Sequence, residues 1–362
     1  MYRFIVFVLG AAAMTATSLA AQDVPVSVTS TPQPLFASHD LLELTMEAPL
    51  RSVLRERGQE SAEYPATISY LDGSGNQVVI DLEISTRGRR RLDRSICRFP
   101  PLQLDFPRSE VGETIFANQN HLKVVTHCQD GRDQYEQYVL QEYLVYRAFN
   151  LLSDLSFRVR LARITYVDLE KDRDTVTEYA FLIEHKDLMA ERNGWGVLEI
   201  PMIAPEHFDP DQLSLVEVFQ YMIGNTDWSA FRAPSGEPEC CHNAKAIGDM
   251  AGPVFSVPYD FDQAGLIRAR YATPDARFNL RNVGQRLYRG VCRPRREFDR
   301  ALASFNEQKD AIYDLYRAQQ DLEPKRLERM LDYYDDFYEI INDEKRFERE
   351  ILNKCRRMGG GG

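Results

Sequence analysis

The chain has 362 residues, a formal net charge of -11 and six cysteines. Such a length buries a full core in one large unit or two domains, and the acidity argues against general nucleic-acid binding. Beyond the N-terminal stretch, no segment has the roughly 18 unbroken apolar residues of a membrane span.

Arg3 followed by the apolar run at 4–14 reads as a secretory leader. Ser18, Leu19, Ala20 and Ala21 supply small residues for cleavage before Gln22. Thr15, Thr17 and Ser18 interrupt the run as a spanning helix. Residues 1–21 are therefore expected to be a signal peptide, and the mature protein periplasmic or secreted with no membrane span. Its charge would be -12, since only Arg3 is lost (-11 minus +1). Residues 22–40 read as a flexible, proline-containing lead-in.

Residues 41–46 alternate loosely as a strand, and 50–57 read as a short helix. Residues 64–70 and 77–84 flank Asp72-Gly73-Ser74-Gly75-Asn76, a β-hairpin pattern. Strands are expected at 102–106 and 121–126, so the first half reads as a mostly antiparallel sheet. The helical spacing of Tyr138, Val139, Tyr143, Leu144, Tyr146, Phe149 and Leu152 predicts a helix over 134–152. Strands follow at 159–167 and 176–183, a helix at 213–223, and charged helices from 296 to 357 with a break at Glu323-Pro324. These last helices read as a solvated bundle face, and 359–362 as a flexible tail. An even cysteine count permits disulfides in an exported chain. Cys97 with Cys128, and Cys240 or Cys241 with Cys292, are the first pairings to test.

The densest chemistry lies in Ile223-Gly224-Asn225-Thr226-Asp227-Trp228, Cys241-His242-Asn243 and Pro258-Tyr259-Asp260-Phe261-Asp262. Asp227 sits where an apolar helix exits into a loop, and its alternative role is an Asx turn. Asn243 begins a short strand, where an amide oxygen suits a hard cation. Asp260 and Asp262, two apart on an expected strand, would share a face. That is unfavourable unless a metal or a basic residue lies between them. Lys123 lies in an apolar strand and Glu142 on the next helix, positioned to pair. The loop Arg87-Gly88-Arg89-Arg90-Arg91 is cationic in an acidic protein and suits phosphate oxygens, or is simply a solvated loop.

The order strand-Lys, helix-Glu, Asp, Asn, Asp resembles the CotH-type spore-coat kinases and, more distantly, atypical kinases such as HipA and the phosphatidylinositol kinases. The resemblance runs over residues 41–262 and rests on Ile84-Ser85-Thr86-Arg87-Gly88, Tyr179-Ala180-Phe181-Leu182-Ile183-Glu184, Asn225-Thr226-Asp227 and Tyr259-Asp260-Phe261-Asp262. Gly-Asn-Thr-Asp-Trp-Ser and Pro-Tyr-Asp-Phe-Asp are more closely similar to a group of exported bacterial proteins. The resemblance implies an α+β, kinase-like two-lobed architecture. A mostly antiparallel N-terminal lobe with one helix would span 41–186, and a mainly helical lobe 187–358. It implies a phosphotransferase with Asp227 as base, and Mg²⁺ or Mn²⁺ on Asn243 and Asp260, with Asp262 sharing the role. ATP phosphates would meet Lys123, positioned by Glu142, with Arg87 and Arg89 nearby. The acceptor would be a protein or small-molecule hydroxyl. Kinase loops place the Asn about five residues after the Asp, whereas Asp227 and Asn243 are sixteen apart, so residues 234–238 would have to loop out of the site.

Two other readings compete. One is a catalytically inactive kinase-like binding module. The other is a zinc site drawn from His127, Cys128, Cys240, Cys241 and His242, residue types that suit zinc without a recognised spacing.

Overall fold

Alternation of apolar and polar residues sets the first half of the chain, and in the computed structural model those strands close on themselves. The structure describes Met1 and residues 33–58, 61–171 and 173–357. The expected signal peptide, the first part of the lead-in and the terminal glycines lie outside them. Strands β1 (Leu42–Ala48), β2 (Tyr64–Leu71), β3 (Gln77–Thr86), β4 (Leu102–Asp105), β5 (His121–Val125), β6 (Val159–Asp168) and β7 (Val176–Ile183) form a barrel in the order β1-β2-β3-β4-β5-β7-β6. The hairpin turn forms as expected, with Asp72 Oδ1 accepting from Ser74 N at 2.8 Å and Asn76 N at 2.9 Å.

Every neighbouring pair is antiparallel except one. β1 runs parallel to β6, from Leu42 opposite Ala162 to Ala48 opposite Asp168, and this pairing closes the sheet. The expected kinase-like two-lobed architecture, with its mostly antiparallel N-terminal lobe, is therefore corrected: the chain builds a closed mixed barrel followed by a helical region. Ile68, Ile84, Leu104, Val124, Ile164 and Leu182 fill the barrel interior. Residues 33–40 are not a loose lead-in; Leu35 and Phe36 join that core, and Gln33 Nε2 donates to Glu184 Oε1 at 2.6 Å.

Helix α1 is Leu50–Arg55, and α2 is Asp133–Leu152. The outward residues of β6 and β7, among them Leu161, Tyr179 and Phe181, pack on α2 in a second core. Because α2 then lies between the barrel and the rest of the chain, it is buried nearly all round, from Gln137 to Tyr146. α3 (Lys186–Arg192) leads to a three-stranded sheet of β8 (Gly196–Val197), β9 (Ala244–Gly248) and β10 (Val254–Pro258). α4 (Pro210–Met222) begins with Asp209 accepting from Gln212 N at 2.8 Å and with Pro at its first position.

The chain finishes in α5 (Asp299–Glu307), α6 (Lys309–Ala318), α7 (Pro324–Asn342) and α8 (Glu344–Phe347). These are more than a solvated face: Phe305, Ile312, Tyr316, Met330 and Phe337 join the core around α2 and α4. Among the described residues, no helix is long and apolar enough to cross a membrane. Disulfides join Cys97 to Cys128, Cys240 to Cys241 and Cys292 to Cys355. The first was expected, whereas the pairing of Cys240 or Cys241 with Cys292 is replaced by the other two. Disulfides on this scale fit an exported protein.

Candidate functional site

The last turn of α4 delivers Asp227. Gly224 closes the helix at φ +65, and a Cβ there would lie 2.0 Å from Tyr333 Oη, so only glycine fits. Asn225 is buried, and its Oδ1 accepts from Asp227 N at 2.9 Å while its carbonyl accepts from the Trp228 indole at 3.1 Å. These bonds fix the turn and leave the Asp227 carboxylate facing outward. Asp227 Oδ1 meets His242 Nε2 at 2.8 Å, and Asn243 Nδ2 donates to Asp227 O at 2.7 Å and Oδ2 at 3.2 Å. Burial pushes the Asp227 carboxyl up, but the His242 hydrogen bond and charge, with Arg289 and Arg90, outweigh it and hold the group below its ordinary value.

Residues 227 and 242–243 meet despite their separation because Ser229 and His242 exchange backbone hydrogen bonds of 2.9 and 3.1 Å. The intervening segment does not loop out of the site as expected. Pro234, Glu237 and Pro238 line the cleft, and Glu237 pairs with Arg89.

Asp260 and Asp262 lie beyond the end of β10, so the expected shared strand face is corrected to a turn. Asp260 takes φ +59 and Asn243 φ +50, left-handed conformations that Asp and Asn tolerate better than other side chains. The turn is held from α2, one helical turn apart: Asp260 N donates to Tyr146 Oη at 2.8 Å and Phe261 N to Glu142 Oε1 at 3.3 Å. Glu142 thus reaches the acidic turn and not Lys123, and the expected Lys123–Glu142 pair does not form. Its partner is Arg91, at 3.9 Å.

Arg91 also lies 3.5 Å from Asp260 Oδ1 and 3.5 Å from Asp262 Oδ2. Burial raises the Glu142 carboxyl to about 8 and the Asp262 carboxyl to about 6, and the neighbouring acids add to both against the opposing pull of Arg91. The acids required a cation between them, and the species there is a guanidinium. Among the described residues, no three His, Cys, Asp or Glu side chains are grouped to hold a metal ion. As arranged, the set expected to bind Mg²⁺ or Mn²⁺ does not fit the ion. The zinc reading is corrected too, since Cys128, Cys240 and Cys241 are in disulfides and His127 pairs with Asp130.

Six of the eight expected site residues, Arg87, Arg89, Asp227, Asn243, Asp260 and Asp262, line one cleft of about 490 Å³. Lys123 and Glu142 stand outside its lining. Lys123 Nζ is 5.5 Å from the ring centre of Tyr259, a lining residue. Burial, then Arg87 and Lys245, lower the Lys123 amine to about 7. Among the described residues Arg87 forms no ion pair within 4 Å, and its charge is opposed chiefly by burial and balanced by Asp260 at longer range. Lys245 also lines the cleft and pairs with Glu239 at 2.6 Å. Arg91 and His242 were missed as individual site residues. Arg91 lies in a run of arginines with nothing to single it out, and the sequence around His242 offers it only as a zinc ligand.

Asp227, Pro234 and His242 also line a second, larger cavity of about 1270 Å³. Searches against family models and curated proteins find no match to this chain.

Proposed function

We propose that the smaller cleft binds the phosphates of a nucleotide such as ATP and transfers its terminal phosphoryl group to a hydroxyl of a protein or small molecule. The observation that carries this reading is the common wall of the cleft. An Asp227 carboxylate held ionised by His242 lines the same cleft as the Arg87 guanidinium, which has no ion pair among the described residues. The motif resemblance to CotH-type kinases points to the same chemistry, and the disulfides suit a periplasmic or secreted setting.

In the transfer step the acceptor oxygen bonds to phosphorus as the bond from phosphorus to the donor's bridging oxygen breaks. The electron pair leaves with the nucleoside diphosphate, and the acceptor proton passes to Asp227. Arg87, Arg89 and Lys245 neutralise the donor phosphates, since guanidinium forks match phosphate oxygens. A phosphate beside Tyr259 would restore the full charge of Lys123. No step here runs through a metal, because Arg91 occupies the space between Asp260 and Asp262.

That guanidinium bridge is also the specific observation favouring a second reading, a binding module without transfer. Calorimetric ATP binding and transfer of labelled γ-phosphate, with Mg²⁺, Mn²⁺ or EDTA, test both. Binding weakened in Arg87→Gln and transfer lowered by about 10²–10⁴ in Asp227→Asn are the expected results. Binding without transfer under every condition selects the second reading. No ATP binding at millimolar concentration sinks both.

A further inference from the structure

We propose that the larger cavity is the acceptor site, and that it takes a hydroxyl compound bearing oxyanions, carboxylate or phosphate, whose hydroxyl reaches Asp227 from that side. This rests on the transfer reading above and names its substrate class.

Five arginines, Arg232, Arg277, Arg289, Arg356 and Arg357, line this cavity, against two acids, Glu206 and Asp227. In a chain of net charge -11 this is a concentrated reversal of sign. Among the described residues, only Arg277 of the five has a carboxylate partner, Asp275. Arg289 is held by the carbonyls of Thr226 and Trp228, the latter at 2.6 Å, and its Nε is buried without a hydrogen-bond partner. Burial, then the charges of Arg356 and Arg277, lower the Arg289 guanidinium to about 10, so like charges crowd here. Arg356 lies 5.3 Å from the centre of the Phe231 ring, and neither Arg232 nor Arg357 donates a side-chain hydrogen bond among the described residues. Unpaired guanidiniums over aromatic walls recognise oxyanions bidentately.

The cavity is also built in. The Cys292–Cys355 disulfide, with Cys292 N donating to Arg356 O at 2.9 Å and Arg356 N to Gly290 O at 2.8 Å, pins the C-terminal arginines beside Arg289. Asp227, Pro234 and His242 line both cavities, so a donor phosphate in one and an acceptor hydroxyl in the other would meet beside Asp227.

The test measures binding of citrate, glucose 6-phosphate and glucose to the full chain by calorimetry at low and high salt. Citrate reads carboxylate, glucose 6-phosphate reads phosphate, and glucose lacks the charge. The expected result is that one or both anions bind and glucose does not. Arg232→Glu with Arg357→Glu, both exposed positions, should weaken binding at least tenfold, salt should weaken it further, and Arg87→Gln should leave it unchanged. Absence of anion binding by the wild type at 10 mM, glucose binding as well as glucose 6-phosphate, an unaffected double variant, or loss confined to Arg87→Gln each overturn the proposal. Anion binding by the wild type that survives in Asp227→Asn, with no phosphoryl transfer by the wild type itself, keeps this site and removes the transfer reading. Transfer unaffected by the double charge reversal does the opposite.

Discussion

Replacing Arg91 by Met removes the one guanidinium shared by three carboxylates, at 3.5 Å from Asp260, 3.5 Å from Asp262 and 3.9 Å from Glu142. Each close pair is worth about 5 kcal/mol of Coulomb energy at an effective dielectric of about 20. Desolvation of Arg91, whose side chain is 10 % exposed, offsets much of that, and Asp260 at 41 % exposed is screened. Stranding the buried acids should cost about 3–5 kcal/mol, a fall in Tm of about 4–7 °C at pH 8 for a chain of this length. The loss should depend on pH in a definite direction. Glu142 and Asp262 titrate at about 8 and about 6, above the ordinary carboxylate range. Between about pH 4 and pH 8 the folded protein therefore holds protons that the unfolded chain has released, and stability falls as pH rises. Without Arg91 both values climb further and the slope steepens. Thermal unfolding followed by circular dichroism should show a larger gap between wild type and Arg91→Met at pH 8 than at pH 5. A variant within about 1 °C of wild type at both values, or a larger gap at pH 5, would refute the counter-ion role.

Asp227→Asn should keep its fold, since the amide retains the hydrogen-bonding shape, yet lower phosphoryl transfer by about 10²–10⁴. Lys123→Met should stabilise the protein by about 1–2 kcal/mol at pH 6 and much less at pH 10. The buried amine titrates at about 7, so the penalty for charging it is fully present below that value and fades as pH rises towards the ordinary lysine range; urea unfolding at the two pH values checks this. Glu239 is pushed up by burial but held down to about 2 by Lys186 and Lys245. Its contribution should be present above about pH 4.5 and lost towards pH 2, so the deficit of Glu239→Gln at pH 7 should shrink on acidification. Cys292→Ser with Cys355→Ser opens a loop closed across 63 residues. That should cost about 4 kcal/mol and weaken citrate binding by freeing Arg356 and Arg357.

The barrel strands and the longer helices were legible in the sequence because periods of 2 and 3.6 recur wherever one face is buried, and residues 64–84 and 133–152 fall where alternation and apolar spacing put them; the short α3 and β8 were not. Closure was not legible. β1 and β6 both alternate, but nothing in their residues marks them as partners across more than a hundred positions, and a parallel pairing of that span decides between open sheet and barrel. The turns carrying Asp227, Asn243, Asp260 and Asp262 were legible as chemistry, and the fold brings them to one cleft. The partner of Glu142 was not, because α2 is buried on nearly every side and its pattern does not say which face meets the strand and which the acidic turn. The repulsion between Asp260 and Asp262 correctly demanded a positive charge, but a metal and an arginine satisfy that demand equally on paper.

The most direct measurement is an experimental structure with bound ATP. Phosphate oxygens are expected within hydrogen-bond distance of Arg87, with the Asp227 carboxylate directed at the terminal phosphorus and Arg91 still between Asp260 and Asp262. Phosphates seated elsewhere, or a terminal phosphorus on a face that Asp227 does not reach, would contradict the proposed function.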